Sequence, residues 1–477
     1  MCAFFGENAS GWNVCVQWQV SVLLRNREGA NWGRNAGDVV SPALTDKSSV
    51  AMQTAVTIDS RRTEPGDWLT AAFLLGFPSI AMLVQGASSA VSIGAGVIAL
   101  AALCWRPAGA PYGYARPDRL GLALCVALCA PVAAVALSTL SHDHPLLRTW
   151  DSPSRFLLAV PIFLALRRAP LRTFAWADLS FTLGALSSLV IAVILPRDWG
   201  DGRIGSAFLN PIHFGDLAVA LGVLSAIALN WWRKDSTFMR ALKFAGLFAG
   251  LAASLLSGSR GGWAAIPLVA VLIVWELGRG KPLHWKVLMP VTVALLLGMV
   301  YGLSGTVRQR VGDVSSDLAQ YTQGHRDTSV GIRLQLYEAA STLIAEHPVL
   351  GLGGDGFRDK MTSMAKQGAL TPKAAAFGEG EVHNQLLAYM ANYGIVGGLA
   401  LLSIYIVPAI FFAAKLKSES RTTRRTALMG LSFVLMFFVF GLTVETFDLK
   451  STVSFYTTML AVLAAITERS DVKSERL

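Results

Sequence analysis

The stretch Glu379-Gly380-Glu381-Val382-His383-Asn384 holds the residue types best suited to moving a proton. Neutral imidazole takes a proton from a hydroxyl near neutral pH, and an adjacent carboxylate orients it or raises its basicity. His383 is therefore a candidate general base with Glu381 beside it; the plainer alternative is a structural histidine at the start of a helix. A metal site made of Glu379, Glu381 and His383 has no recognised ligand spacing, so no metal and no other cofactor is expected.

Three arginines form the second candidate set. Arg203 lies in Asp201-Gly-Arg-Ile-Gly-Ser, Arg260 in Ser257-Gly-Ser-Arg-Gly-Gly262, and Arg333 near the start of Gly331-Ile-Arg-Leu-Gln-Leu-Tyr337. A guanidinium keeps its charge and presents a rigid fork of donors to phosphate oxygens, so several converging on one cavity would hold a diphosphate. Pairing with a local carboxylate or a lipid headgroup is the alternative for each. It is weakest for Arg260, whose small neighbours, Ser259 among them, predict a tight hairpin with backbone N–H groups available to an anion.

What must position these groups is a bundle in lipid. Hydrophobic residues make up 53% of the 477 and charged residues only 15%, too apolar for a soluble domain of this size. About twelve apolar runs of bilayer length are expected near 69–86, 88–105, 119–140, 155–167, 174–195, 213–231, 241–257, 262–278, 285–303, 394–414, 426–445 and 451–467. Only helices satisfy their own backbone polar groups in such runs, so the fold class is all-α.

The net charge of +10 is read as topology rather than as nucleic-acid binding. Alternate connectors are basic: Arg106, Arg116 and Arg119, then Arg167 and Arg168, Arg233 and Lys243, Arg279 and Lys281, and finally Lys415 through Arg425. That alternation puts these connectors and both termini in the cytoplasm, and Arg203, Arg260, Arg333 and His383 on the outer side.

The expected organisation is a polar, disordered cytoplasmic tail at 1–65, with a chain start at Met52 also possible. Spans one to nine follow over 66–303, then a long, mainly helical outer loop over 304–393. Spans ten to twelve occupy 394–467, and a short cytoplasmic tail 468–477. Within the loop, Leu334, Tyr337, Leu343 and Ile344 are spaced as one helix face ending at His347-Pro348. Gly351-Leu-Gly-Gly-Asp-Gly356 matches a dinucleotide-binding pattern but follows a helix and a proline, so it is read as a turn returning the loop to the membrane. The cysteines Cys2, Cys15, Cys104, Cys125 and Cys129 suggest no disulfide framework.

Together these motifs resemble the O-antigen ligase family, which shares a Wzy-C-type region with O-antigen polymerases and some protein glycosyltransferases. The resemblance rests on Ser259-Arg-Gly-Gly262, on Arg333-Leu-Gln-Leu-Tyr337 leading to His347-Pro-Val-Leu-Gly-Leu-Gly353, and on His383-Asn384 followed by Gly394 and Gly397, as in H-N-x9-G-x-x-G. It implies a GT-C-like bundle in the bacterial inner membrane and metal-independent, inverting transfer of a glycan from undecaprenyl diphosphate to lipid A-core oligosaccharide at the periplasmic face. His383 would be the base, Arg203, Arg260 and Arg333 the diphosphate ligands, and Glu381, Asn384, Tyr389 and Ser259 supporting contacts. An O-antigen polymerase or a protein O-oligosaccharyltransferase would share the donor and differ in the acceptor. From a different class, a transporter or flippase would place ionisable groups near the bilayer midplane, where only Asp178, Asp216 and Glu445 lie near or inside apolar runs. Nucleic acid is not an expected partner, and no oligomeric state follows.

Overall fold

The computed structural model describes residues 65–105, 117–142, 147–200, 202–259, 261–303 and 305–474. The tail expected at 1–65 therefore lies almost wholly outside the described residues, as do Arg106, Arg116 and Arg260.

Sixteen α-helices run through the described residues: α1 Pro65–Leu83, α2 Ala87–Cys104, α3 Arg119–Leu140, α4 Asp151–Leu166, α5 Ser180–Ile194, α6 Pro211–Ile227, α7 Thr237–Ser257 and α8 Ala265–Leu277. Then come α9 Leu283–Leu303, α10 Gly305–Thr322, α11 Ser329–Glu346, α12 Gly356–Lys366, α13 Pro372–Gly378, α14 Gln385–Lys415, α15 Arg421–Gly441 and α16 Lys450–Ser474. One short hairpin, β1 Arg197–Asp198 with β2 Ile204–Gly205, pairs Asp198 with Ile204.

Each apolar run expected to span the membrane coincides with a helix. Among the described residues seven segments are both long and apolar enough to cross a bilayer: Gly66–Leu83, Ala87–Cys104, Arg119–Leu140, Thr173–Ile194, Thr237–Ser257, Gln385–Lys415 and Arg421–Gly441, with Pro211–Ile227 and Gly261–Glu276 shorter and apolar. The chain is an all-α membrane protein. At its centre α16 is buried on nearly all sides, and the Tyr456 hydroxyl donates to the carbonyl of Ile404 in α14 at 2.6 Å.

Helices α6 and α7 lie unusually close. A methyl on Gly250 would sit 2.3 Å from the Ala218 carbonyl oxygen, so the contact exists only because small residues face each other, as is common between helices in lipid. Below that contact Lys243 is fully buried, its Nζ 2.8 Å from Asp178 and 3.2 Å from Asp235. The sequence places Lys243 among solvated connector charges. The structure instead uses it to neutralise Asp178, one of the three acidic residues in apolar surroundings.

The long loop is more helical than its composition suggests. Its opening polar stretch forms α10, and the Lys- and Ala-rich segment forms α12 and α13, which pack with α11 around Leu336, Phe357, Met361 and Ala374. The expected helix over 331–346 is α11. The helix expected near His383 begins at Gln385 and continues to Lys415, so the boundary drawn at 394 is a break inside α14. Gly394 has φ 62° and ψ −159°, which opens the helical ladder. The freed Ile395 N–H donates to the Pro348 carbonyl at 2.8 Å, while Leu352 and Gly353 donate to the Ala391 and Asn392 carbonyls at 3.0 and 2.9 Å. The turn at 351–356 thus crosses the break, and Ser138 of α3 ties it to the bundle by donating to the Leu350 carbonyl at 2.8 Å.

Candidate active site

His383 precedes α14 with φ 62°, a left-handed backbone that costs a residue bearing a Cβ and is held here by its surroundings. Tyr337 of α11 donates to the His383 carbonyl at 3.0 Å, and the Val382 N–H donates to Oε1 of Glu445. Next in the chain, Asn384 caps α14, its Oδ1 accepting from Leu386 and Leu387 N–H at 3.0 and 3.1 Å. Asn384 is thus the helix cap and the neighbour of His383 at once; Nδ2 lies 3.5 Å from the Leu442 carbonyl.

The imidazole is mostly buried, with Nδ1 2.9 Å from Glu381 Oε1. Glu381 Oε2 accepts the Glu445 N–H at 3.1 Å. Burial pushes the Glu381 carboxyl up, but His383, the nearby His213 and the Glu445 N–H together hold it below the ordinary value. A proton carried on Nδ1 would face that carboxylate and leave the lone pair on Nε2. Glu379 turns elsewhere, accepting from the Thr362 hydroxyl at 2.6 Å. Among the described residues no group of three or more His, Cys, Asp or Glu is arranged to hold a metal ion.

Glu445 is buried between these groups. Burial, Asp448 and Glu381 raise its carboxyl to about 8 against the opposing pull of the Val382 N–H and Arg358. His213 lies beneath, Nδ1 2.9 Å from Asn210 Oδ1 and Nε2 3.4 Å from the Glu445 carbonyl. Neither residue was singled out from sequence for this role, although Glu445 stands out as an acid beside an apolar run.

Of the three candidate arginines, Arg203 and Arg333 lie within the described residues. Arg203 sits at the tip of the β1–β2 hairpin, and a methyl on Gly258 would lie 3.5 Å from its Cγ, so its stem rests on the 257–262 turn. Arg260 belongs to that turn but lies outside the described residues. The turn itself packs on the loop after α15: a methyl on Gly261 would stand 2.4 Å from the Thr443 hydroxyl. Ser259 is buried, and its hydroxyl has no hydrogen-bond partner among the described residues. Arg333 acts on Tyr337, whose phenol is raised by burial and pulled back by that guanidinium.

Tyr389 is buried in α14 one turn beyond Gln385, its ring edge to face with Tyr393 at 5.5 Å, and residues 385, 389 and 392 share a helix face. That face, with Gln385 and Asn392, lines a solvent-open cleft shared with Arg148, Arg358 and Asp448. Arg358 bridges Asp448 at 3.1 Å, Asp355 at 3.4 Å and Glu445 at 4.0 Å, so one carboxylate belongs to both the cleft wall and the histidine cluster.

The histidine–carboxylate pair lies where the loop helices of this membrane bundle meet the loop between α15 and α16. Residues 245–402 match the family model described as Wzy_C, O-antigen ligase, and that interval contains the 257–262 turn, Arg333 and His383 through Gly397. The chain is 25% identical over 295 residues to an uncharacterized protein of Haemophilus influenzae, an alignment covering 61% of this chain and 72% of that one. It is 21% identical over 236 residues to the O-antigen ligase of Escherichia coli K12, covering 49% of this chain and 55% of that protein. The resemblance read from the motifs is thereby upheld, while Arg203 lies outside the matched interval.

Proposed function

We propose that the chain is an O-antigen ligase that moves a glycan from undecaprenyl diphosphate to a hydroxyl of lipid A-core oligosaccharide. In this reading the chain crosses the inner membrane twelve times, both termini are cytoplasmic, and residues 304–393 cover a periplasmic site. His383 Nε2 takes the acceptor proton as the acceptor oxygen bonds to the anomeric carbon from the face opposite the departing diphosphate. The bond from that carbon to the phosphate oxygen breaks, and its electron pair leaves with the lipid diphosphate. Arg203, Arg260 and Arg333 stabilise the departing charge, which fixed guanidinium groups do without reorganising during the reaction. Tyr389 and the Arg358 cleft receive sugar rings, since carboxylates, amides and aromatic faces suit hydroxyl-rich ligands.

The observation that carries this reading is the Glu381–His383 pair, 2.9 Å apart, inside the interval that matches the ligase family. Complementation of a ligase-deficient strain tests it, with lipopolysaccharide resolved on gels. Wild type should restore O-antigen-bearing lipopolysaccharide, and normally expressed His383→Ala should not. Restoration by the variant would remove the base; failure of wild type together with elongation of lipid-linked chains would make the chain a polymerase. Arg203→Lys and Arg260→Lys should each impair transfer, since an ammonium cannot make the bidentate contact.

A further inference from the structure

At the end of the bundle away from His383, a second, solvent-open cavity is lined by Arg421, Arg424, Arg425, Glu276 and Leu428. Its position follows from chain direction. The 257–262 turn leads into α8 and touches Thr443 just beyond α15, so Glu276 at the close of α8 and Arg424 at the opening of α15 meet at the far end, 3.9 Å apart. The length of α8 alone separates the two ends by about 20 Å.

The charges in this cavity do not balance. Glu276 is the only carboxylate lining it and is also held by Arg279 at 3.4 Å. Arg421 and Arg425 are one helical turn apart, a like-charge spacing that destabilises a helix, and all three arginines occupy its first turns, where the helix dipole disfavours cations. An anion seated in the cavity would reverse both effects. Leu428 is buried at its floor, while Trp275, 57% exposed with Arg279 over its ring at 4.9 Å, stands where interfacial tryptophans sit in a bilayer.

We infer that this cavity binds the phosphate of an anionic glycerophospholipid from the leaflet facing away from His383, with the acyl chains descending beside α8. The apolar floor and interfacial tryptophan favour a lipid over a free ion, and the inference stands apart from the reaction proposed above. The test uses purified full-length protein in neutral detergent, its unfolding midpoint followed during titration with phosphatidylglycerol, phosphatidylcholine or inorganic phosphate. Phosphatidylglycerol should raise the midpoint saturably, and the other two should not. Arg425→Gln should weaken the apparent affinity about fivefold, and Arg421→Gln with Arg425→Gln by roughly 25-fold, at about 1 kcal/mol per cation near a lipid surface. Arg233→Gln with Lys234→Gln, which removes equal charge from another connector at this end, should leave the response unchanged. An equal rise with phosphatidylcholine, or an undiminished rise in the single and double variants, would overturn the site. A rise with inorganic phosphate alone would overturn the lipid assignment. Because the phosphatidylglycerol and phosphatidylcholine arms are read on wild type, misfolding of a variant does not remove the test.

Discussion

Nδ1 of His383 lies 2.9 Å from Oε1 of Glu381, and the second oxygen of that carboxylate accepts the Glu445 N–H at 3.1 Å. The imidazole is therefore oriented by a group that is itself anchored to the loop between α15 and α16. Replacing Glu381 with Gln should keep the anchor while losing the charge that fixes the imidazole. Transfer in membranes supplied with lipid-linked glycan is expected to fall on the order of 10²-fold in kcat with KM little changed. His383→Ala should fall at least as far, and the double variant no further than His383→Ala alone. Additive losses would show that the two residues act independently.

The 257–262 turn and Thr443 give a second test. Gly261→Ala would place its methyl 2.4 Å from the Thr443 hydroxyl, pushing the turn that carries Arg260 away from the loop that carries Glu445. Activity should drop more than stability does. Thr443→Ala removes the colliding oxygen, so adding it to Gly261→Ala should restore much of the loss, a coupling that a double-mutant cycle measures directly. No recovery would mean that the two segments do not meet as described.

Glu445 predicts how stability varies with pH. Its carboxyl is raised to about 8 when folded, chiefly by burial and by Asp448 and Glu381, while the unfolded chain titrates near 4.5. Between those values the folded state holds a proton that the unfolded state has released. Its contribution is thus complete below about 4.5 and is lost as pH rises toward about 8. The unfolding midpoint in detergent should decline across that window with a slope of about one proton, and Glu445→Gln should flatten it. Glu381, lowered on folding, acts oppositely and in a lower window: its contribution is present above the unfolded value and disappears as pH falls below it.

Gly394→Ala should be among the most damaging single changes. The residue would need φ 62°, and its methyl would lie 2.2 Å from the Val349 carbonyl carbon. A loss of several kcal/mol, roughly 3 or more, is expected as a fall in unfolding midpoint and faster proteolysis of the loop. Gly94→Ala, in α2 with nothing near its would-be methyl, should be neutral or slightly stabilising and serves as the control.

Most of the helical framework could be read from hydropathy, because most of the apolar runs reach bilayer length and alternate connectors between them are basic. His383, Glu381 and Asn384 were legible for a different reason: they are adjacent in sequence, so their chemistry shows as a local pattern. Glu445, His213 and Arg358 were not, since each stands alone and acquires meaning only when α6, α12 and the α15–α16 loop are brought together. Helix α10 was hidden by its overall polarity, although Val307, Val311, Val314, Leu318 and Tyr321 recur at helical spacing.

The break at Gly394 has a consequence for how the protein is made. Ala391 and Asn392 hand their carbonyls to the 352–353 turn, and Ile395 takes its acceptor from Pro348. During biogenesis the apolar part of α14 can enter the bilayer by itself, but the piece from Gln385 to Tyr393 gains these partners only after the preceding loop has folded against it. The histidine at its head is then among the last groups to be fixed.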